Sequence, residues 1–261
     1  MKTTLYYHIY LTDDYGTWSS IFLEQFKLME DVGLLQSLDR IKINAICKND
    51  DRCMQLVGLA RSFSDKCEIV GNINNQRDDT STFQNINSAD TLTENITMRD
   101  IYNDCLHEDQ NVLYIHAKGV TSVETHLKPG KIQTFKNYYY WRQFLNWGVI
   151  ENWKEALVRL EDHDIVGVNY FDTPAPHFSG SFFWTKSSYV RQLSDPARKD
   201  WWYDLQNNTT SPWLKTAPDR FRDEMWSCSK SGARIFSFCN LGQETNLSAT
   251  FLPSSVYKKG N

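Results

Sequence analysis

The apolar positions of this chain change period several times along its first half. Residues 5–11, LYYHIYL, are an almost unbroken apolar run and predict a buried strand. Residues 17–31 then set Trp18, Ile21, Phe22, Phe26 and Met29 at helical spacing. Residues 41–47 predict a second strand, and residues 50–63 a helix with Cys53, Leu56, Val57 and Ala60 inward, weakened by Gly58. A third short strand spans 67–71, and the polar stretch 72–90 predicts a loop. Thr93 is placed to cap a helix whose inner face carries Met98, Ile101, Tyr102 and Cys105. Residues 111–116 close the series as a fourth strand.

Alternating strands and helices of this kind predict an α/β fold: a mostly parallel central sheet with helices on both faces. Ligands of such sheets bind beyond the carboxyl ends of the strands. The first strand ends at Tyr10-Leu11-Thr12-Asp13-Asp14 and the fourth at His116-Ala117-Lys118-Gly119, so both tips are expected to face one crevice.

The second half is less regular. Residues 133–160 predict one long helix, or two that join near Gly148. Strands are expected at 164–170, 179–186 and 233–239, a short helix at 187–193, and a helix at 218–231 with Pro218 in its first turn. The Trp- and Pro-rich residues 195–217 give no clear period. No repeat, low-complexity tract or linker divides the chain. The expectation is therefore a single domain over 1–261, with 1–125 as a nucleotide-binding half and 126–261 as an acceptor and catalytic half.

Composition narrows the class. The chain has 261 residues, 41% of them apolar and 23% charged, enough for a sizeable core. A net charge of −4 argues against a general nucleic-acid binder, which needs a basic face. No apolar run approaches the roughly 20 residues of a membrane span, and the N-terminal apolar run is too short for a signal peptide. The six cysteines form no C-x-x-C pair and lie in apolar surroundings, so they are expected to be reduced, buried thiols of a cytoplasmic protein. Aromatic residues make up 14%, with nine Trp, which suits stacking surfaces for bases or sugars as well as a Trp-rich core.

Four stretches carry candidate chemistry. At the fourth strand's tip, Lys118 offers a compact charge for a phosphate, His116 can donate or act as an acid, and Gly119 permits close approach or positive φ. The plainer reading is a solvated lysine and a histidine that caps its own strand. The stretch 169–184 crowds His177, Ser179, Gly180 and Ser181 into one turn before an aromatic strand, where Phe183 or Trp184 could stack on a sugar; a tight turn feeding a core strand would look the same. Asp223 and Glu224 adjoin on a helix. Phe221, Met225 and Cys228 mark its buried side, which Glu224 borders more closely, and a carboxylate beside apolar groups can serve as general base. Finally, Asp78 and Asp79 could hold a divalent cation with a diphosphate.

Together, YIHAKG at 114–119, VGVNY at 166–170, PHFSGSFFWTKSSYV at 176–190 and RDEMW at 222–226 resemble nucleotide-sugar-dependent glycosyltransferases of the GT-A fold. The likeness is to a group found in bacteria and large algal viruses with an H-[FY]-S-G-N-F-W-W-A-like segment. It spans roughly residues 4–240, and residues 177–186 are its most specific part. The resemblance implies that Tyr10 and Thr12 hold the base and ribose of a nucleoside diphosphate sugar. It implies that His177, Ser179, Gly180 and Ser181 surround the sugar or acceptor, with Trp184 and Trp141 as stacking platforms. Glu224, or Asp223, stands where an inverting member keeps its base.

Two departures matter. Where most GT-A enzymes carry a metal-binding D-x-D, this chain has His116-Ala117-Lys118, so Lys118 and His116 could neutralise the diphosphate without a metal. Alternatively, Asp78 or Asp79 brings Mn2+ or Mg2+. Ser181 stands where the group has Asn. The expected activity is sugar transfer from a nucleoside diphosphate sugar to a hydroxyl of a glycan or glycoconjugate. The alternatives are a non-catalytic carbohydrate-binding or assembly module and a nucleotidyltransferase or sugar-nucleotide hydrolase.

Overall fold

The computed structural model describes residues 1–47, 50–73, 84–85, 94–120, 132–218, 220–242 and 245–258. Its spine is β1 (Lys2–Tyr10), β2 (Arg40–Cys47), β3 (Cys67–Ile73) and β5 (Gln110–His116), with the two-residue β4 (Gln84–Asn85) beyond β3. These strands pair in parallel, and β1 lies between β2 and β5. Parallel strands are covered on both faces, which is why β1, β2 and β5 are apolar almost throughout. From the second half, β6 (Ile165–Gly167), β9 (Phe183–Lys186) and β10 (Ile235–Ser237) extend the same sheet. The order is β10-β6-β9-β5-β1-β2-β3-β4, with β9 antiparallel to both its neighbours. A separate hairpin joins β7 (Tyr170–Phe171) to β8 (His177–Phe178).

Alternation along the strands sends side chains into two cores. Leu5, Tyr7, Ile9, Leu113 and Ile115 face one side. That side is covered by α1 (Tyr15–Asp31), α3 (Asp50–Arg61), α5 (Ile132–Asn146) and α6 (Trp153–Asp162), with the one-turn α2 (Leu34–Ser37) following α1. Tyr6, Val112, Tyr114 and Phe183 face the other. There they meet α4 (Asn95–His107), α7 (Ser187–Val190) and α10 (Arg220–Trp226). Residues left unassigned by periodicity include α8 (Asp200–Asn208) and α9 (Pro212–Lys215), whose Trp202 and Leu214 share a third cluster with Met225. No helix among the described residues is long and apolar enough to cross a membrane.

The long helical stretch does divide near Gly148. A π-helical turn, Trp147–Glu151, separates α5 from α6. Gly148 is required there by packing, since a Cβ would lie 2.0 Å from Val168 Cγ1. The cysteine expectation needs correction. Cys47, the last residue of β2, and Cys53, in the first turns of α3, form a disulfide with Cα atoms 6.5 Å apart. The strand-to-helix turn brings both side chains to one point that spacing alone did not reveal. Cys67, Cys105 and Cys228 are free thiols. A disulfide is commoner in oxidising surroundings, so cysteine usage no longer argues for a cytoplasmic setting.

Gly148→Ala tests the packing. Helix propensity favours Ala by about 1 kcal/mol, but overpacking costs about 1–3 kcal/mol, and a 2.0 Å approach puts the clash ahead. Denaturant melts are expected to show net destabilisation, partly relieved when Val168→Ala is added; a stabilised single variant would contradict this account.

Candidate functional site at the carboxyl ends of the central strands

Both strand tips do lie side by side. His8 is the register partner of His116 in the β1–β5 ladder, and the amide of Ala117 donates to the His8 carbonyl at 3.0 Å. Because side chains alternate, Tyr114 and His116 face α4. At the start of that helix Glu94 takes both: His116 Nδ1 lies 2.9 Å from its Oε1, and the Tyr114 hydroxyl donates to its Oε2 at 2.7 Å. The helix N-terminus also favours a carboxylate there. Burial would raise the Glu94 carboxyl, but the facing His116 imidazole, electrostatically and through its hydrogen bond, outweighs it with help from His8 and Lys118, holding it at about 2. Burial lifts the Tyr114 hydroxyl well above its ordinary range, reinforced by Glu94. His8 Nδ1 sits 2.9 Å from Thr97 Oγ1, and burial pulls that imidazole down to about 4.

The main chain of the tip is gripped from the opposite face. Arg142 of α5 makes a forked pair with Glu24 of α1, Nε to Oε1 at 2.8 Å and Nη2 to Oε2 at 2.9 Å. Its Nη1 donates to the Lys118 carbonyl at 2.8 Å. Gln25 Nε2 donates to the His116 carbonyl at 3.3 Å and to Asn146 Oδ1 at 3.0 Å. Gly119 turns the chain at φ +90°, where a Cβ would come within 3.3 Å of Tyr138 Cβ. This leaves the Lys118 side chain outward, its Nζ 4.0 Å from the ring centroid of Trp141.

Trp141 links the tip to the Ser-Gly-Ser turn. A Cβ on Gly180 would lie 3.1 Å from Trp141 Nε1 and 2.7 Å from Leu145 Cδ1, so the turn is pressed onto α5. Gly180 and Ser181 both hold positive φ, +94° and +58°. Ser181 is buried and its hydroxyl has no hydrogen-bond partner; the Trp141 indole N–H has none either. The next residue, Phe182, meets the His116 ring edge-on at 4.9 Å. His116, Lys118, Gly119, Trp141, Gly180 and Ser181 therefore form one cluster.

Helix α10 closes the α4 side. Asn95, next to Glu94, donates to Asp223 Oδ1 at 3.0 Å, and Arg222 Nε lies 3.5 Å from the same oxygen. Both Asp223 and Glu224 act electrostatically on the Tyr114 hydroxyl. The expected order of burial is reversed: Asp223 is 2% exposed, whereas Glu224 is half-buried. The inward stripe is Arg222, Met225 and Trp226, and Phe221 lies only partly inside.

Other expected contacts separate from the cluster. Trp184 is no platform, since its ring is wholly buried in β9 and its indole donates to the Val149 carbonyl at 2.8 Å. Thr12 is buried at 1% exposure, and its hydroxyl bonds the Asp14 carbonyl in the turn leading to α1. Tyr10 is half-buried at the end of β1. His177, half-buried, has Nδ1 2.7 Å from the Ala175 carbonyl in the hairpin, and the Ser179 amide donates to the Asn169 carbonyl. Asp78 and Asp79 lie outside the described residues. No metal-binding cluster of His, Cys, Asp and Glu occurs among the described residues. At the β5 tip both oxygens of Glu94 are engaged by His116 and Tyr114.

Sequence reasoning overlooked Glu94, Glu24 and Arg142. Glu94 stands beside the residue expected to cap α4, but nothing local signals its bond to a strand 22 residues on. Arg142 sits among aromatics in a helix, and its carboxylate partner, Glu24, is over a hundred residues away.

The sheet and this cluster define a mixed α/β chain with a polar corner at its strand tips. The chain belongs to the family described as "Domain of unknown function (DUF8361)", whose model matches residues 6–235. Comparison with curated proteins finds no match. Among solved structures it is similar to 4-diphosphocytidyl-2C-methyl-D-erythritol synthase from Anaerococcus prevotii. The two share 7% identity at a TM-score of 0.38, over 98% of this chain and 93% of that one. A superposition this loose leaves the architecture to be read from the strand order itself.

Acid sensitivity follows from His8. Its imidazole titrates near 6.5 when unfolded and at about 4 in the fold. Between those values the unfolded chain binds a proton that the fold refuses, so stability falls as pH drops through the window. This group alone is expected to cost about 3 kcal/mol by pH 4. Glu94 loses its contribution only lower, as pH falls from 4.5 toward 2. Urea melts from pH 6.5 to 4 should show a shallower slope for His8→Asn than for the wild type; equal slopes would refute the assignment.

Proposed function

We propose that this chain is a GT-A-type glycosyltransferase that moves a sugar from a nucleoside diphosphate sugar to a hydroxyl of a glycan acceptor. The observation that carries this reading is the meeting of two distant segments. Lys118, just past the carboxyl end of a central parallel strand, lies over Trp141, against which Gly180 is packed, and His116 meets Phe182, the residue after that turn. Crevices at such strand ends are where α/β sheets take their ligands.

In this reading the diphosphate lies against Lys118 and the outer edge of His116. Tyr10, at the end of β1, borders the nucleoside. Gly180 and Ser181 border the sugar, where a hydroxyl could reach the Ser181 side chain once the turn relaxes. The bond from the sugar's anomeric carbon to the diphosphate oxygen breaks, and its electron pair stays on that oxygen beside Lys118 and His116. The acceptor oxygen bonds to the anomeric carbon, and its proton passes to a carboxylate of α10. Glu224, the more exposed of the pair, is the better placed to meet an acceptor; buried Asp223 holds the α4 end through Asn95. Positive charge fixed where negative charge develops lowers the barrier without reorganisation.

A thermal-shift panel of UDP, GDP and their sugars, with and without manganese, gives the first test. A stabilisation that grows with ligand concentration is expected, and no response to any nucleotide would refute the reading. With a cognate donor, Lys118→Ala is expected to lower kcat by about 10²–10³-fold. Glu224→Ala should abolish transfer while the fold survives. Donor consumption that needs no acceptor would favour a hydrolase instead.

A further inference from the structure

A second cleft lies apart from the strand-tip cluster, between α6 and the carboxyl end of β10. We propose that it is an acceptor subsite, which holds a neutral stretch of the glycan beyond the sugar that reacts. The nature of this ligand rests on the transferase reading above.

The cleft encloses about 1050 Å3, at the upper end of the range for small-ligand sites. One wall is the π-helical turn and α6, which bring Trp147, Asn152, Glu155 and Arg159. The other is β10 and the residues after it, with Phe236, Phe238 and Asn240. Val256, in the short 3-10 turn Ser254–Val256, borders the cleft as well. Trp147, Phe236 and Phe238 are half-buried, so each keeps ring surface that a ligand can cover. Apolar ring surface beside hydrogen-bonding groups suits the C–H faces and hydroxyl edges of a sugar.

The polar groups point to a ligand without charge. Arg159 is paired with Glu155 at 2.7 Å, and Lys258, at the edge of the cleft, with Glu151 at 2.7 Å. A nucleotide or an acidic sugar would have to break one of these pairs or lie beside a carboxylate. The two asparagines offer complementary groups. Asn152 Nδ2 donates to the Trp147 carbonyl at 2.8 Å, and Asn240 Oδ1 accepts from the Tyr170 amide at 2.8 Å. Among the described residues, Asn152 Oδ1 and Asn240 Nδ2 make no hydrogen bond. One wall therefore keeps an acceptor and the other a donor. A hydroxyl both gives and takes a hydrogen bond, so a polyhydroxylated ring meets both needs.

Position ties the cleft to the strand tips. β10 runs parallel to β6, and β9 is antiparallel to both β6 and β5, so β10 and β5 end on the same side of the sheet. Three strand spacings separate them, about 14 Å. Asn169, at φ +55°, lies between the two sites. Its amide donates to the Cys239 carbonyl at 2.7 Å, and its Oδ1 accepts from the Leu241 amide at 3.0 Å. Its carbonyl accepts from the Ser179 amide at 3.1 Å. One residue thus fixes both the cleft wall and the Ser-Gly-Ser turn. Helix α5 gives a second link: Trp141 lies under the Lys118 ammonium, and Trp147 follows about 9 Å further along the axis. A glycan several sugars long would bridge the two sites, whereas a single sugar would not.

Calorimetry on the full-length chain without any donor tests the cleft directly, with cellohexaose, mannohexaose, xylohexaose, maltohexaose and chitohexaose as probes. At least one is expected to bind, and Phe238→Ala is expected to weaken that binding about 10-fold or more. Val256→Trp changes an exposed position and fills the cleft without removing a core side chain, so it gives the same loss even where Phe238→Ala does not fold. Failure of every hexasaccharide to bind, or unchanged affinity in Val256→Trp, overturns the proposal. With donor present, both variants are expected to raise KM for the hexasaccharide and leave kcat, and to leave both parameters for a monosaccharide glycoside. Binding that follows this pattern while no sugar nucleotide is consumed keeps the cleft and ends the transferase reading. Transfer with the hexasaccharide KM unchanged in both variants keeps the transferase and ends the subsite.

Discussion

The forked ion pair between Glu24 and Arg142 is the constraint on which the corner depends. Arg142 is 6% exposed, and burying a guanidinium is costly unless its donors are met. Here Nε and Nη2 meet one carboxylate and Nη1 meets the Lys118 carbonyl. The pair thus joins α1 to α5 and both helices to the main chain at the end of β5. Gln143 adds a donor to Glu24 Oε1 at 2.8 Å, so the carboxylate is well provided on its own side. Truncating either partner would strand a charge and release the turn at Gly119 together.

With the backbone held from the α1–α5 face, the α4 face is free to determine the side chains. Glu94 orients His116 and Tyr114 from there, and Asn95 ties the same helix start to Asp223. The tip is therefore a wedge between two helix layers rather than a loop projecting into solvent. Positive φ at Gly119, Gly180 and Ser181 falls where the main chain must turn within that narrow space. Strain kept at Ser181 is what tight surroundings can sustain at a site, and it fits a turn pressed against Trp141 and Leu145.

Legibility in the sequence followed burial. The strands β1, β2 and β5 are covered on both faces, so their apolar runs were plain, and α1 and α4 showed one clean apolar stripe each. Short pairings gave no such signal: β6 has three residues, and β7 and β8 two each. Trp184 and Trp141 look alike as letters, yet one closes the core between β5 and β6 and the other lies under the Lys118 ammonium. At α10 the stripe was anchored on Phe221, which lies only partly inside, and that shift exchanged the burial of Asp223 and Glu224. Long-range polar pairs leave no period at all. Glu94 with His116, and Arg142 with Glu24, exist only once the sheet order is set.

What the assembled corner favours follows from which charges are already spent. The carboxylates of Glu24, Glu94 and Asp223 are each engaged by donors from neighbouring elements. Lys118 rests its ammonium on a ring face, where attraction is weaker than an ion pair, and His116 keeps one ring nitrogen without a polar partner among the described residues. An anion would meet donors whose desolvation has already been partly met by burial and whose positions are held by two helix layers. Preorganised donors of that kind gain most from a ligand that gathers negative charge as it reacts, which on the proposed reading is a departing diphosphate.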